Sequence, residues 1–204
     1  MMWQEFQAIG KRVVGSGLVE SNFGNMSVRS VSSDTILITK TGAAMDELDQ
    51  NSIVEVPLFP AGSKSTAEKM ASSETAVHRK IYQETDAKAI LHAHCPYSVV
   101  MSLLEFEAGN ASIVPVDSEG KLFLGEIPIV VGGIGSDELA INAANAFAFG
   151  KETDGNAKTV SGIVVLGHGT FAIGNDLKQA YRITTQLEYA AKIKYLYATA
   201  KNLF

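Results

Sequence analysis

The sequence predicts an α/β fold, a three-layer sandwich in which a central, mostly antiparallel sheet is flanked by helices. Short strand-like segments are mixed with segments of helical spacing, without the strict strand–helix–strand alternation that is typical of parallel sheets. The chain has 204 residues, of which 46% are hydrophobic and 19% are charged, as in a well-packed globular protein. We therefore expect a single domain over residues 1–204.

The helices are predicted from apolar spacing and from capping residues. Phe6, Ile9 and Val13 share one face of the first helix, and Pro96 suits the first turn of the third. The second and the fourth helical segment each contain a serine as a candidate N-cap. Helices are predicted over 3–19, 69–85, 96–106, 136–149 and 177–199.

The strands are predicted from short apolar or alternating runs bounded by turn residues. The segment 161–174, "SGIVVLGHGTFAIG", predicts two strands joined by a tight turn. Further strands are predicted over 26–30, 35–39, 52–56, 87–94, 111–116 and 126–131.

Charge, hydropathy and cysteine usage exclude several classes of protein. A net charge of −5, spread over the chain, offers no basic surface for nucleic acid or an anionic membrane. The apolar runs are far shorter than the roughly 20 residues of a membrane-spanning helix, and the N-terminus lacks the apolar core of a signal peptide. The one cysteine, Cys95, excludes an intramolecular disulfide. These features predict a soluble, cytoplasmic protein.

Two of the four histidines lie in "ILHAHCP", at the end of a predicted strand. His92 and His94 are two positions apart, so both rings face one side of the sheet while Ala93 faces the other. Two such nitrogens are two-thirds of a three-ligand zinc site, although two ordinary hydrogen-bonded histidines are the alternative. Cys95 is expected to point away from that side as a buried thiol and not as a fourth ligand.

A third histidine, His168, lies between two glycines in "GHGT", where the backbone can approach another group closely. The preceding run "GIVVL" predicts a buried strand, which places this histidine at the end of a core strand. A histidine of an ordinary turn is the alternative. His78 lies in a polar helical stretch, so we expect it to face solvent and assign it no role.

The segment "SSETAVH" combines a carboxylate with a helix N-terminus. Ser72 or Ser73 is predicted to cap the helix, and Glu74 falls in its first turn, where the helix dipole favours a negative charge. The free amides and hydroxyls of that terminus could instead bind a phosphate. Two tight loops offer further anion-binding groups, although each alone is typical of a turn: Gly24, Asn25 and Ser27 in "GNMS", and Lys40, Thr41 and Gly42 in "TKTG".

In this order, "FGNMSVR", "ITKTGAAMDEL", "SSETAVHRKIY", "ILHAHCP" and "VLGHGTFAIG" resemble the class II aldolase/adducin family. The likeness is closest to its L-fuculose-1-phosphate aldolase branch and extends from about residue 5 to residue 197. The resemblance implies a central, mostly antiparallel sheet between helices. It also implies a C4 homotetramer with active sites at the subunit interfaces.

The resemblance implies a role for each matching position. His92, His94 and His168 match the ligands of one zinc ion per subunit, and Glu74 matches the catalytic acid/base, which can also contact the metal. Three imidazoles would also accept another divalent transition metal. The implied reaction is reversible, zinc-dependent cleavage of a phosphorylated ketose into dihydroxyacetone phosphate and an aldehyde. Positions that hold the substrate phosphate are matched by Asn25, Thr41, Gly42, Ser72 and Ser73.

The sequence departs from the fuculose enzymes at three points. They carry a proton-donating tyrosine from a neighbouring subunit, whereas residues 105–130 contain none. Asp117, Ser118 or Glu119 could replace it, although "DSEGK" is also typical of an acidic surface turn. "TKTG" replaces a "TPSG"-type loop, so the charge of Lys40 could lie near the phosphate. At the C-terminal end, where those enzymes have a mobile tail, Tyr195 and Tyr197 are expected to pack in the apolar stripe of the last helix.

Two other functions stay open. Dehydratases, epimerases and decarboxylases of the family keep the metal triad, so the triad does not distinguish them. The epimerases use longer C-terminal segments, for which this chain leaves little room. A non-enzymatic interaction domain like the adducin head needs no metal ligands, and the three histidines with Glu74 argue against it.

Overall fold

A computed structural model describes residues 2–30, 34–149 and 160–201 of the chain. Its centre is one eight-stranded sheet with the order β3-β2-β1-β4-β8-β7-β6-β5. Every neighbouring pair is antiparallel except β6 and β7, which are parallel. The predicted fold class, a mostly antiparallel sheet between helices, is confirmed. Residues 1, 31–33, 150–159 and 202–204 of the predicted single domain lie outside the described residues.

The strands are short, as their apolar runs predicted. β1 begins directly at the polar loop "SNFG", and β4 ends one residue before His94. The strands are β1 (Asn25–Arg29), β2 (Thr35–Thr39), β3 (Ile53–Pro57), β4 (Ala89–Ala93), β5 (Ser112–Ile113), β6 (Ile127–Val130), β7 (Gly162–Val165) and β8 (Gly169–Gly174).

Seven α-helices cover the two faces of the sheet. Ser136 accepts a hydrogen bond from the Leu139 amide at the start of the sixth, as the sequence predicted for a capping serine. No helix of the described residues is long and apolar enough to cross a membrane. The helices are α1 (Met2–Gly15), α2 (Thr66–Met70), α3 (Thr75–Glu84), α4 (Pro96–Glu107), α5 (Ser118–Phe123), α6 (Asp137–Phe149) and α7 (Leu177–Lys201).

Alternating side chains of the central strands enter two separate cores. On β4, Ile90 packs with α3 and α6, whereas Leu91 packs on the opposite face with α1 and the start of α7. A third cluster, under α4 and α7, extends the second face. His92 therefore lies on the α3 side of β4, where its ring stacks on Phe171 with centroids 4.3 Å apart.

The predicted single helix over 69–85 is wrong, because the chain forms two helices there. Ala71 is extended and forms a bridge with Lys40, and the Ser72 amide donates to the Thr39 carbonyl. These bonds to β2 interrupt the helix for the four residues that include the "SSE" motif. Pairing with a distant strand has outweighed the local helical pattern.

Other predicted boundaries also differ. α1 ends at Gly15 and not at residue 19, since Gly17 adopts a φ of +70° and ends the helical conformation. "DSEGK" lies at the surface as expected, with Ser118 and Glu119 exposed, but it begins the unpredicted helix α5 and is not a turn, because Asp117 caps that helix by accepting from the Gly120 amide. Tyr195 packs against Tyr97 as expected, whereas Tyr197 is exposed.

Candidate active site

Three histidines converge at one end of the central strands. His92 lies in β4, His94 follows that strand, and His168 lies in the turn between β7 and β8. One ligand atom from each ring lies within 4.8 Å of the other two. The ring centroids are 4.6 to 4.8 Å apart. The structure therefore brings together the three residues that the sequence singled out, and they form a group that could hold a metal ion.

Two glycines allow the strands to come close enough for this arrangement. A Cβ atom on Gly169 would lie 2.6 Å from the Ala93 carbonyl oxygen, beside His94. A Cβ atom on Gly24, which has a φ of +95°, would lie 2.5 Å from the His92 carbonyl oxygen. Both distances are too short for a real side chain, so glycine is required at both positions beside the segment that carries His92 and His94.

The ring of His92 has a defined proton position. Its Nδ1 lies 2.9 Å from the Thr170 carbonyl oxygen, which can only accept, so Nδ1 carries the hydrogen. The lone pair of Nε2 then faces Glu74 Oε2 at 3.0 Å. The two atoms attract each other only when a positive charge, from a ring proton or a bound cation, lies between them. A histidine fixed through one nitrogen, with the other free, is also the usual arrangement of a metal ligand.

Three buried atoms at the triad have no hydrogen-bond partner among the described residues: Glu74 Oε1, His92 Nε2 and His168 Nδ1. A buried polar atom left unpaired costs about 1–3 kcal/mol, so a cluster of them indicates that a ligand completes the site. Their chemistry, imidazole nitrogen with one carboxylate oxygen, fits zinc or a similar divalent transition metal.

Glu74 is buried and is itself the N-cap residue of α3, so the prediction that Ser72 or Ser73 caps this helix and that Glu74 lies in its first turn is wrong. Its side chain makes no capping bond. Its carboxylate lies instead against the triad, with Oε1 3.9 Å from His168 Nε2. Burial alone would raise the pKa of Glu74, but His92, the Asn25 amide and His168 together lower it to about 2.

Two rings of the triad, His94 and His168, favour their neutral form. Burial and the neighbouring histidines lower the pKa of His94 to about 4 and also lower the pKa of His168. Neutral imidazole is the form that binds metals, so these rings are ready as ligands near neutral pH.

The expectation that His78 faces solvent is wrong. Its ring is fully buried between α3 and β1, with Nε2 2.6 Å from Asn25 Oδ1 and Nδ1 2.6 Å from Ser27 Oγ. The helical position of His78 alone did not indicate this, because its polar partners come from a strand much earlier in the chain. An i, i+4 spacing from Glu74 was the one signal that both side chains share a helix face.

All five residues predicted to hold phosphate line one cavity of about 230 Å³, together with Lys40, Glu74, His94 and His168. Ser73 is exposed there, whereas Ser72 accepts a hydrogen bond from the Glu74 amide. Asn25 uses its amide group for Glu74 and His78, which leaves little of that side chain for a phosphate. The five named residues are Asn25, Thr41, Gly42, Ser72 and Ser73.

A second cavity, of about 470 Å³, is also lined by His94 and His168. Phe23 stacks on His94, with ring centroids 5.3 Å apart, and lines both cavities. Val19, Pro96 and Val99 make most of the remaining surface apolar, with Glu20 as the charged exception. His94 and His168 therefore line both a polar cavity and a largely apolar one, whereas His92 lines neither.

Cys95 is a buried thiol in the core on the α1 side, as predicted, and lies outside the triad. Burial raises the pKa of its thiol well above the usual value. Neither Asp117 nor Ser118 nor Glu119 lines the two cavities within the part of the chain that the structure describes.

The burial of His78 makes stability depend on pH in a defined direction. Burial lowers the pKa of His78 to about 3 in the folded protein, against about 6.5 when unfolded. The unfolded state therefore binds the proton first, so stability is complete above pH 6.5 and is lost as the pH falls towards 3. Between pH 5.5 and 4 we expect the unfolding free energy of wild type to fall more steeply than that of His78→Gln, by about 1.4 kcal/mol per pH unit. Urea unfolding of both proteins checks this, and equal slopes would contradict it.

The chain was compared with known protein families, proteins and structures. Residues 4–195 match the family model described as class II aldolase and adducin N-terminal domain. The chain is 31% identical over 194 residues to an L-fuculose phosphate aldolase of Methanocaldococcus jannaschii, covering 94% of this chain and 91% of that protein. It is 32% identical over 196 residues to a methylthioribulose-1-phosphate dehydratase of Acidiphilium cryptum, covering 91% and 86%.

The structural comparison agrees with these matches. The crystal structure of L-fuculose-1-phosphate aldolase from Thermus thermophilus superposes with a TM-score of 0.82 and 29% identity, covering 98% of this chain and 96% of that one. The chain also matches a longer protein of Nocardia farcinica and covers 23% of its length. That protein is a probable bifunctional methylthioribose-1-phosphate isomerase and methylthioribulose-1-phosphate dehydratase. The resemblance drawn from five short segments is thereby confirmed.

Proposed function

Because the chain belongs to the class II aldolase and adducin family, we propose that it is a metal-dependent aldehyde-lyase. The substrate would be a phosphorylated ketose like L-fuculose 1-phosphate, cleaved reversibly into dihydroxyacetone phosphate and an aldehyde. The observation that carries the proposal is a buried carboxylate, Glu74, whose Oε1 has no hydrogen-bond partner among the described residues and lies beside three convergent imidazoles. That combination supplies a metal site and a proton-transfer group in one place.

His92, His94 and His168 would hold the metal, with Glu74 able to contact it, and zinc is the proposed ion. A divalent metal held there would polarise the substrate carbonyl and stabilise the negative charge that develops when the C3–C4 bond breaks. The Thr170 carbonyl keeps His92 in the tautomer that such a site needs.

Glu74 would move the proton at C3 of the dihydroxyacetone phosphate half. In cleavage, the C4 hydroxyl would pass its proton to solvent water, C4 would become the aldehyde carbon, and the electron pair of the broken C3–C4 bond would go to C3. Glu74, after taking up one proton from solvent, would deliver that proton to C3, so that no net proton is gained or lost. In the reverse direction Glu74 removes that proton. Its low pKa makes it a carboxylate near neutral pH, which is the form required of a base in the aldol direction.

The two cavities suit the two ends of such a substrate. The polar cavity offers Ser73, Thr41 and Lys40 to a phosphate, and the second cavity offers the ring of Phe23 to the aldehyde half. Binding at both ends would hold the reacting carbons at the triad. The largely apolar surface of the second cavity supports an aldehyde with few hydroxyl groups.

The charge of Lys40 should contribute to substrate binding. We expect Lys40→Met to raise the KM for a ketose 1-phosphate about tenfold, because a charge-assisted contact is worth about 1.5–3 kcal/mol and part of it is screened by solvent. The kcat should change less than about twofold, since Lys40 would contact the non-reacting end. Initial rates at several salt concentrations measure both constants. Lys11→Met, an exposed lysine on α1, is the control, and an unchanged KM for Lys40→Met would remove Lys40 from the phosphate site.

The proposal is tested by dihydroxyacetone phosphate release from L-fuculose 1-phosphate and other ketose 1-phosphates, with chelator and with restored zinc. Release that needs the metal supports the aldolase. The similarity to the Acidiphilium dehydratase makes dehydration of methylthioribulose 1-phosphate the second candidate reaction, assayed on the same preparation. If neither substrate reacts and the protein binds no metal, a non-enzymatic interaction domain would replace both.

We further propose a C4 homotetramer of single-domain subunits in the cytoplasm. Exposed apolar side chains at Leu122, Phe123 and Ile134 support association, and Ile134 lines the polar cavity at the triad. The one cysteine is a buried free thiol, as is common in proteins of reducing compartments. Light scattering of the purified protein measures the subunit number.

A further inference from the structure

A series of buried, hydrogen-bonded polar side chains leads away from Glu74. The proposed reaction gives most of these side chains no role. Ser27, His78 and Tyr82 are at most 2% exposed, and all three lie on the side of the sheet that α3 covers. The Ser27 hydroxyl lies 2.9 Å from the Tyr82 hydroxyl and 2.6 Å from His78 Nδ1. On its other side, His78 reaches Asn25, which in turn contacts Glu74.

The direction of every hydrogen bond in this series of side chains follows from the charge of Glu74. A carboxylate can only accept, so Asn25 must present Nδ2 to Glu74 Oε2, at 3.0 Å. Asn25 Oδ1 then faces His78 and must accept, which requires the hydrogen of His78 on Nε2. His78 Nδ1 is consequently an acceptor for the Ser27 hydroxyl, and Ser27 accepts from Tyr82.

The opposite tautomer of His78 would reverse the amide. With the hydrogen on Nδ1, Nε2 could only accept, so Asn25 would turn Nδ2 towards His78. Its Oδ1 would then face the carboxylate oxygen of Glu74, and both groups would be acceptors at hydrogen-bond distance. A buried pair of this kind is unfavourable, so the tautomer of His78 controls which group Asn25 offers to Glu74.

We propose that His78, fixed by Ser27 and Tyr82, is a positioning residue that acts through Asn25 to hold Glu74 Oε2 and so keep Oε1 directed at the substrate. This inference rests on the proposed function, because it assigns these hydrogen-bonded side chains a part in the proton transfer by Glu74. None of the three residues that stand behind Asn25 lines either cavity at the triad, so their effect on the reaction would be indirect.

Apart from its 3.0 Å contact with His92 Nε2, the carboxylate of Glu74 has few other contacts that fix its orientation. Glu74 makes no capping bond to its own helix, and Oε1 has no hydrogen-bond partner among the described residues. If Asn25 releases Oε2, the group can rotate about its terminal bond towards His168, whose Nε2 is 3.9 Å from Oε1. A displacement of about 1 Å in a proton-transfer group can cost on the order of 10²-fold in rate.

The first measurement is the tautomer of His78, because it does not depend on activity. Nitrogen-15 spectra of ring-labelled protein, with the His78 signals identified by their loss in His78→Gln, should show Nε2 protonated and Nδ1 unprotonated. Burial holds this ring neutral at neutral pH, so one tautomer is expected and not the doubly protonated ring. A hydrogen on Nδ1 would overturn the proposal whether or not the protein is active.

The second measurement compares substitutions that keep or remove the donor. His78→Phe should lower kcat about 10- to 100-fold while KM and bound metal change less than about twofold. His78→Gln places an amide nitrogen near the position of Nε2 and should recover most of that loss, whereas the shorter His78→Asn should not. Ser27→Ala should also lower kcat. This variant replaces His78→Phe as the test if His78→Phe does not fold.

Thr184→Val is the matched control for lost stability. Thr184 is also fully buried, and its hydroxyl donates to the Ala180 carbonyl on α7. It does not belong to the hydrogen-bonded series that leads to Glu74. Its kcat should equal that of wild type even if the melting temperature falls as far as in His78→Phe. An active wild type with unchanged kcat in His78→Phe and Ser27→Ala overturns only this inference, whereas an inactive wild type overturns the proposed function.

Discussion

Glu74→Gln is expected to lower kcat for ketose 1-phosphate cleavage by about 10³-fold. The amide keeps the shape of the side chain and can still accept a hydrogen bond from Asn25, but it cannot give or take a proton at C3. Metal content should stay near that of wild type in excess zinc, because the three imidazoles are unchanged. Steady-state rates and metal analysis of the same preparation measure both quantities.

Glu107→Gln, an exposed glutamate at the end of α4, is the control and should behave as wild type. A further readout is exchange of the C3 proton of dihydroxyacetone phosphate with solvent deuterium, which the Glu74 variant should lose and the control should keep. Retained exchange in Glu74→Gln would mean that another group handles this proton.

His168→Ala is expected to remove both the bound metal and the activity. The variant loses one of three imidazoles, and kcat/KM should fall by at least about 10³-fold, since a metal contributes several kcal/mol of charge stabilisation and each 1.4 kcal/mol is about a factor of ten. Bound metal should fall from about one per subunit to well below one. His168 lies in a turn and its side chain is 10% exposed, so the fold should tolerate the change better than at the fully buried His92.

A chelator applied to wild type should have the same effect, and added zinc should restore activity in wild type but not in His168→Ala. Asn175→Ala, an exposed substitution at the far end of β8, is the control and should retain metal and rate. Full activity in a metal-free wild type would reject the role of the triad.

The spacing of a few residues predicted much of the candidate site. The period of two along β4 puts His92 and His94 on one side, and the glycines beside His168 predicted a close approach of backbones. Both signals come from neighbouring residues, so they do not depend on how the rest of the chain folds. The alternating and apolar runs likewise predicted strands such as Thr35–Thr39, because a half-buried strand needs that pattern.

Long-range contacts decided the remainder. The helix predicted over 69–85 divides because Lys40 and Thr39 pair with Ala71 and Ser72, and no pattern within the segment records a partner so far away in the chain. The carboxylate of Glu74 faces the triad and not its own helix for a similar reason, since Asn25 and His92 come from neighbouring strands.

By itself, then, the sequence determined the family, the fold class and the three histidines, because each depends on residue identity and local period. The tertiary structure alone decided that His78 is buried and that its ring faces Asn25. Burial depends on which surface covers a side chain, and the surface over His78 is the face of β1 that carries Asn25 and Ser27. A polar residue on a helix is therefore ambiguous in sequence until the sheet beneath it is known.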